Sequence, residues 1–162
     1  MTDLVKRACG ECTACCKTHA VNEIKKLEGV WCTHCNIGIG CRIYETRPDG
    51  CKTFKCQWLM GFGGPELRPD KSGIVITHSK AILLQITCRL AIVWEYYVGT
   101  LETPFARALT EELLSQERMT FVGHFYLFGR KRIFLPERVR LTSAAREAAT
   151  RMNLEVIEKS RK

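Results

Sequence analysis

The stretch CGECTACC at residues 9–16 places four thiols within eight positions, and two of them are adjacent. Of the ten cysteines in the chain, nine lie between Cys9 and Cys56, and Cys88 alone lies beyond them. Thiols at this density constrain the fold of the first third of the chain more than any other feature. They indicate a disulfide scaffold, a metal site or a redox centre.

The start of the chain bears on the redox state of these thiols. The first twelve residues, MTDLVKRACGEC, have no apolar run behind their basic residues, so they do not predict a secretory signal. We therefore expect a cytoplasmic protein. Its thiols should then be free, because the reducing cytosol opposes disulfide formation. A chain of 162 residues can also bury an apolar core without disulfide staples. Clustered thiols under these conditions predict metal ligands.

Residues 81–98 are apolar enough to raise the question of a membrane span. They include Gln85, Arg89 and Glu95, and a charge at mid-bilayer costs about 2.5–3.5 kcal/mol. Apolar residues occupy every even position from 82 to 96, which is the alternation of a strand. We therefore expect this segment in the core of a protein that makes no membrane contact, with Cys88 as a buried, inert thiol.

The composition of the chain changes at GFGGPELRPDKSG (61–73), which holds four glycines and two prolines. Residues 1–58 show weak periodicity, as expected where ligands rather than an apolar core organise the backbone. We predict an α+β fold in which an irregular, metal-organised cysteine-rich unit (1–60) packs on an α+β layer (61–162). That layer is predicted to be a small antiparallel sheet with two helices, and the two parts to form one compact domain.

Individual elements of the second part follow from local patterns. GIVIT (73–77) and AILLQIT (81–87) are predicted strands separated by a turn at residues 78–80, while residues 89–99 fit either a strand or a helix. Thr103 followed by Pro104 predicts a helix over 104–117. Two further strands are predicted at 119–128 and 131–136. Thr142 or Ser143 is expected to cap a final helix over 144–159.

The cysteine spacing is C-x2-C-x2-C-C at residues 9–16, C-x2-C-x5-C at 32–41 and C-x9-C-x4-C at 41–56. Two thiolates at C-x2-C spacing reach one metal ion from a single tight turn. The run Cys9, Cys12, Cys15 also matches the three-ligand step of bacterial cubane iron–sulfur sites, which take a remote cysteine as fourth ligand. Adjacent cysteines do not readily chelate one ion. Cys15 and Cys16 are therefore predicted to serve two metals or one polynuclear cluster.

CGECTACC, a later Trp-Cys pair and GCRIYETRPDGCKTFKC (40–56) together resemble a known family. It is the family of zinc- or iron-chelating domains named for the CxxCxxCC motif, the YkgJ-like proteins, whose pattern C-x-I-Y-x-x-R-P-x-x-C-x-x-F-x-C is matched over residues 41–56. The resemblance covers about the first 60 residues and implies metal binding without an established reaction. The ligands that it implies are Cys9, Cys12, Cys15, Cys16, Cys32, Cys41, Cys51 and Cys56, with Cys35 as a ninth candidate.

Two other residues of the matched segment, Tyr44 and Arg47, are predicted to support the ligands rather than to bind metal. Arg47 is expected to donate hydrogen bonds toward thiolate sulfurs or carbonyls. Sulfur-only sites suit zinc ions and iron–sulfur clusters alike, so the sequence leaves both open. No Ser-His-Asp pattern, P-loop or dinucleotide fingerprint occurs, so any activity is expected at the metal. An iron–sulfur redox protein or enzyme component is one alternative function.

The formal charge of +8 is concentrated toward the end of the chain, where residues 118–162 hold eleven Lys and Arg against four Asp and Glu. A zinc-stabilised module that binds RNA or protein through this basic third is a further alternative, because phosphate neutralisation needs such clusters. Solvated charge that favours solubility is the other interpretation. The basic residues in question are Arg130, Lys131, Arg132, Arg138, Arg140, Arg146, Arg151, Lys159, Arg161 and Lys162.

Overall fold

A computed structural model of the protein describes residues 7–116 and 120–158. It contains both helices and sheets, which confirms the predicted α+β class. The helices are α1 (Ala14–Thr18), α2 (Asp49–Thr53), α3 (Pro69–Ser72), α4 (Pro104–Ser115) and α5 (Ser143–Arg151). The strands are β1 (Cys35–Asn36), β2 (Gly40–Cys41), β3 (Ile74–Leu83), β4 (Ile86–Glu95), β5 (Thr120–Phe125), β6 (Lys131–Leu135) and β7 (Leu154–Glu158).

The main sheet has five strands in sequential order, from β3 at one edge to β7 at the other. The pairs β3–β4 and β5–β6 are antiparallel, whereas β4–β5 and β6–β7 are parallel. The prediction of an antiparallel sheet is therefore wrong for two of the pairings. The reason is that α4 and α5 each connect two neighbouring strands, and a connection through a helix returns the chain in the same direction.

The β3–β4 hairpin differs from the predicted one in the position of its turn. The predicted turn at residues 78–80 lies inside the strand, where His78 pairs with Ala91. The chain reverses instead at Leu84 and Gln85, whose φ angles of 52° and 67° are those of a two-residue hairpin turn. Residues 89–95, which the sequence left open, belong to β4.

The two long helices cover opposite faces of the sheet. Apolar residues of α4 pack with Ile74, Ile76 and Val93 in one core cluster. Apolar residues of α5 pack with Cys88 and Leu90 in a second cluster. The even positions of β4 thus share one face, as the alternation predicted, and Cys88 is buried there. Among the described residues, no helix is long and apolar enough to cross a membrane.

Both long helices begin where the sequence predicted. The Thr103 hydroxyl accepts a hydrogen bond of 3.2 Å from the Ala106 amide, and the Thr142 hydroxyl accepts one of the same length from Ala145. Helix α4 ends at Ser115, and residue 117 of its predicted span lies outside the described residues. The prediction of helix to residue 159 is wrong. The chain leaves α5 at Asn153, which has a φ of 53°, and then forms β7.

The cysteine-rich part of the chain packs on the first two strands of the sheet. Ala14 of α1, Val75 of β3 and Tyr96 after β4 form a small core cluster. Half-buried aromatic and cysteine side chains surround it, namely Cys12, Trp31, Phe54, Cys56 and Trp94. A backbone hydrogen bond of 2.8 Å from the Gln57 amide to the Ile76 carbonyl continues this contact along β3.

His124 of β5 is a buried histidine that contacts α4 through Thr110. Its surroundings favour the neutral form. The Thr110 hydroxyl donates its one hydrogen to the Ala106 carbonyl at 2.7 Å, so the His124 Nε2, also 2.7 Å away, donates to Thr110. Nδ1 then carries the lone pair and has no hydrogen-bond partner among the described residues. Burial, assisted by the Arg132 charge and opposed by Glu102, lowers the pKa of His124 to about 4.

This histidine predicts acid destabilisation of the α+β layer. Because the folded pKa of about 4 lies below the unfolded value of 6.5, the unfolded chain binds more protons between those values. The free energy of unfolding should therefore fall as the pH drops from 6.5 to about 4, by roughly 3 kcal/mol from this residue. Urea denaturation of the wild type and of His124→Gln across this range measures the effect. An equal pH dependence in the two proteins would contradict it.

Candidate metal centre

One cavity of about 250 Å³ brings together thiols from the whole cysteine-rich segment. It lies between α1, α2, the loop that precedes β1 and the inner end of β3, where Val75 lines it. All eight cysteines implied by the family resemblance line this cavity, which we call the thiol cavity: Cys9, Cys12, Cys15, Cys16, Cys32, Cys41, Cys51 and Cys56.

A turn and a short helix position the first four thiols. The Cys12 amide donates to the Cys9 carbonyl at 3.0 Å, across Gly10 with its φ of 53°. Cys15 and Cys16 follow within α1. Arg68 donates to the Cys9 carbonyl at 3.0 Å and so fixes this turn against α3. The four cysteines of the C-x2-C-x2-C-C run thus all line the cavity.

Hydrogen bonds hold Cys32 and the β1–β2 hairpin, which carries Cys41, against Thr13 and α1. The Cys32 amide donates to the Cys16 carbonyl at 2.9 Å. Strands β1 and β2 then form a short hairpin in which Cys35 and Cys41 are direct cross-strand partners. The Gly38 amide at the hairpin tip donates to the Thr13 hydroxyl at 3.1 Å. Cys41 lines the thiol cavity, whereas Cys35 does not.

The last two thiols flank the end of α2. Cys51 lies within the helix, whose start is held by a hydrogen bond of 2.8 Å from the Gly50 amide to the Glu23 carboxylate. Phe54 leaves the helix with an extended backbone. A single helix carrying both Cys51 and Cys56 is therefore not formed, and Cys56 reaches the cavity from the segment attached to β3.

Side-chain hydrogen bonds link three of the thiols in and beside the cavity. The Cys16 thiol is hydrogen-bonded to that of Cys15 and to that of Cys35, which does not line the cavity. The expectation that the adjacent Cys15 and Cys16 serve two metals or one cluster stays a prediction.

Burial favours the protonated form of four of these thiols. It raises the pKa values of Cys9, Cys51 and Cys56, and it raises that of Cys12 to about 11. Cys15 is the exception, because a hydrogen bond with the Cys16 side chain lowers its pKa to about 7. A cation in the cavity would reverse the effect of burial, so metal binding here would release protons.

The thiols share a cavity but do not converge on one point. Within residues 7–116 and 120–158, no three His, Cys, Asp or Glu side chains stand close enough together to hold a metal ion. The chemistry of the donor set nevertheless fits, since the eight thiols among the lining residues suit zinc ions and iron–sulfur clusters. Binding would require the side chains to close on the metal.

Arg47 and Tyr44 form a stacked pair at the cavity. The Arg47 guanidinium lies 3.7 Å from the centre of the Tyr44 ring, and it donates to the Tyr44 carbonyl at 2.7 Å. Its charge also lowers the pKa of Cys9, against the larger effect of burial. Arg47 thus bonds the carbonyl of Tyr44, and its role in supporting metal ligands stays a prediction.

Lys26 is a cavity residue that the sequence reasoning missed. Its side chain lines the thiol cavity and only 8% of the residue is exposed, whereas the adjacent Lys25 is exposed. Nothing in the pair Lys25-Lys26 distinguishes the buried lysine from the exposed one. The difference is that Lys26 forms an isolated backbone bridge with Val21, whereas Lys25 does not, and Lys26 is the lysine that is buried.

The basic residues near the sheet are largely neutralised by carboxylates. Arg130 and Arg132 both pair with Glu102 and Glu155 at 2.9–3.4 Å, and Lys131 pairs with Glu28 at 3.4 Å. Arg146 pairs with Glu158 at 2.7 Å and Arg151 with Glu147 at 3.9 Å, while Arg138 and Arg140 are exposed. Lys159, Arg161 and Lys162 lie outside the described residues.

No family model, curated protein or solved structure matches this chain. Membership of the family that the cysteine pattern resembles therefore stays a prediction, supported by the residues themselves and by the cavity that they line.

The β1–β2 hairpin offers a matched test of which thiols bind metal. Because Cys41 lines the cavity and its cross-strand partner Cys35 does not, we expect Cys41→Ser to lower the metal bound per chain by about half or more. Cys35→Ser should leave the metal content unchanged. Elemental analysis of proteins purified without oxygen measures both. Equal loss in the two variants would make Cys35 a ligand, against the placement of the cavity.

Proposed function

We propose that the protein is a metal-binding protein whose centre is built from the eight cysteines of the thiol cavity. The supporting observation is that turns and short helices from four separate parts of residues 9–56 direct these thiols into one void. Buried unpaired thiols could occur singly in any core. Eight around one cavity favour ligands.

The metal proposed for this cavity is zinc, or iron in an iron–sulfur cluster. Either would be held by thiolates of the eight cysteines. Bound zinc supplies structural stabilisation, whereas an iron–sulfur cluster supplies a centre that accepts or donates an electron. Burial favours the neutral form of Cys9, Cys12, Cys51 and Cys56, so these thiols would lose their protons as a cation binds.

Metal content and the visible absorption spectrum of protein purified without oxygen test the proposal. Iron with acid-labile sulfide and a broad band near about 400 nm would assign an iron–sulfur centre and the redox alternative. Colourless protein with about two zinc ions would assign a structural zinc centre, at four thiolates per ion. Protein that holds neither metal as purified, and takes up neither on anaerobic reconstitution, would overturn the proposal.

Metal removal should affect the two parts of the chain differently. Binding free energy at such a site is folding free energy, on the order of 10 kcal/mol for structural zinc sites, while the sheet has its own apolar core. Cys12→Ser or Cys51→Ser should therefore abolish protection from hydrogen exchange over residues 7–60 and leave residues 86–95 protected. Mass-spectrometric hydrogen exchange measures this, with Cys35→Ser as control. Full protection of residues 7–60 in both ligand variants would contradict it.

A further inference from the structure

The basic side chains around the thiol cavity carry an inference about the charge of its contents. Among the described residues, the lining includes Lys26, Arg47, Lys52 and Lys55, and it includes no Asp or Glu. Lys52 is paired with the Asp49 carboxylate at 3.2 Å, outside this lining. The remaining positive charge on the wall favours contents that are negatively charged overall.

Lys26 is the buried member of this set. Its ammonium group donates to the carbonyl oxygens of Lys17 at 3.1 Å and Leu27 at 2.9 Å, and also to that of His19. Three carbonyls satisfy the three N–H groups but do not neutralise a full charge. None of the salt bridges formed by the described residues includes Lys26.

A buried ammonium without a counter-charge is costly, by several kilocalories per mole. Lys26 lines the same cavity as the thiols of Cys15, Cys16, Cys32 and Cys51. A neutral thiol does not offset the ammonium charge, whereas a thiolate does, so each further thiolate that a bound metal creates beside Cys15 adds compensating charge. Thiolates gathered around zinc ions or in an iron–sulfur cluster outnumber the positive charges that the metal supplies, so the whole is anionic.

We propose that Lys26 is the counter-charge of an anionic metal–thiolate assembly in the thiol cavity, and that it acts as a positioning residue for the thiols on its side. The proposal rests on the proposed metal-binding function. It adds a definite electrostatic requirement: the cavity selects an assembly with more thiolate than metal charge, and Lys26 stabilises that assembly through its fixed position between three carbonyls and four thiols.

Cobalt(II) binding by the full-length protein, measured by anaerobic competition with a chelator, tests this role. Cobalt in a thiolate site gives visible absorption that reports coordination directly. Lys26→Gln keeps hydrogen-bond donors but removes the charge, and it should weaken cobalt binding about tenfold or more, equivalent to about 1.4 kcal/mol or more. Lys25→Gln, which removes the exposed neighbouring charge, should change the affinity by less than about twofold.

Lys26→Arg separates charge from hydrogen-bond geometry. The arginine cannot reproduce the ammonium contacts, but it keeps the positive charge. Because the charge is retained, the Lys26→Arg variant should bind cobalt within about threefold of the wild type. This variant also decides the question if Lys26→Gln does not fold. Equal, tenfold losses in the Arg and Gln variants would overturn the charge role and leave Lys26 as a structural tie between carbonyls. Unchanged affinity in Lys26→Gln would overturn it as well. A wild type that binds no cobalt and takes up neither zinc nor an iron–sulfur cluster on anaerobic reconstitution would overturn the metal-binding function itself, and this proposal with it.

Discussion

The contact of α1 with the β3–β4 hairpin, at Ala14, Val75 and Tyr96, is the constraint on which the rest of the structure depends. It attaches a segment that has little apolar core of its own to a sheet that has one on each face. Val75 lies at once in this contact and in the wall of the thiol cavity. One side of the cavity is therefore formed by the sheet, and turns and short helices packed on the sheet position the thiols.

Electrostatics complements this packing. Burial disfavours thiolates, so the segment can gather eight thiols in a small volume without the repulsion of eight charges. Burial of the Lys26 ammonium group is likewise unfavourable unless thiolates in the cavity compensate its charge. Cation binding and thiol deprotonation would relieve both problems together. The cysteine-rich segment thus has the physical character of a structure completed by its ligand, while the α+β layer is complete in itself.

The comparison of sequence with structure separates local signals from non-local ones. Thr103, Pro104 and Thr142 gave the starts of α4 and α5 because capping depends on a few adjacent residues. The strand direction of β5 and β7 was not predictable from alternation alone, because it follows from where the helices return the chain. The turn at Leu84 and Gln85 was missed for a related reason, since neither residue is a typical turn former at positive φ.

The cysteines of the candidate site were predictable because the sequence motifs identify them. The eight implied cysteines share the cavity, whereas Cys35 does not line it, although it is the direct cross-strand partner of Cys41. Spacing along the sequence does not make this distinction. Lys26 was not predictable, because its burial arises from a bridge to Val21.

X-ray absorption at the metal edge of the purified, anaerobic protein identifies the atoms bound to the metal. Coordination by the cavity thiols predicts a first shell of sulfur alone, at about 2.3 Å for zinc, with metal–metal scattering if the thiols hold one polynuclear cluster. A first shell dominated by nitrogen and oxygen would contradict it.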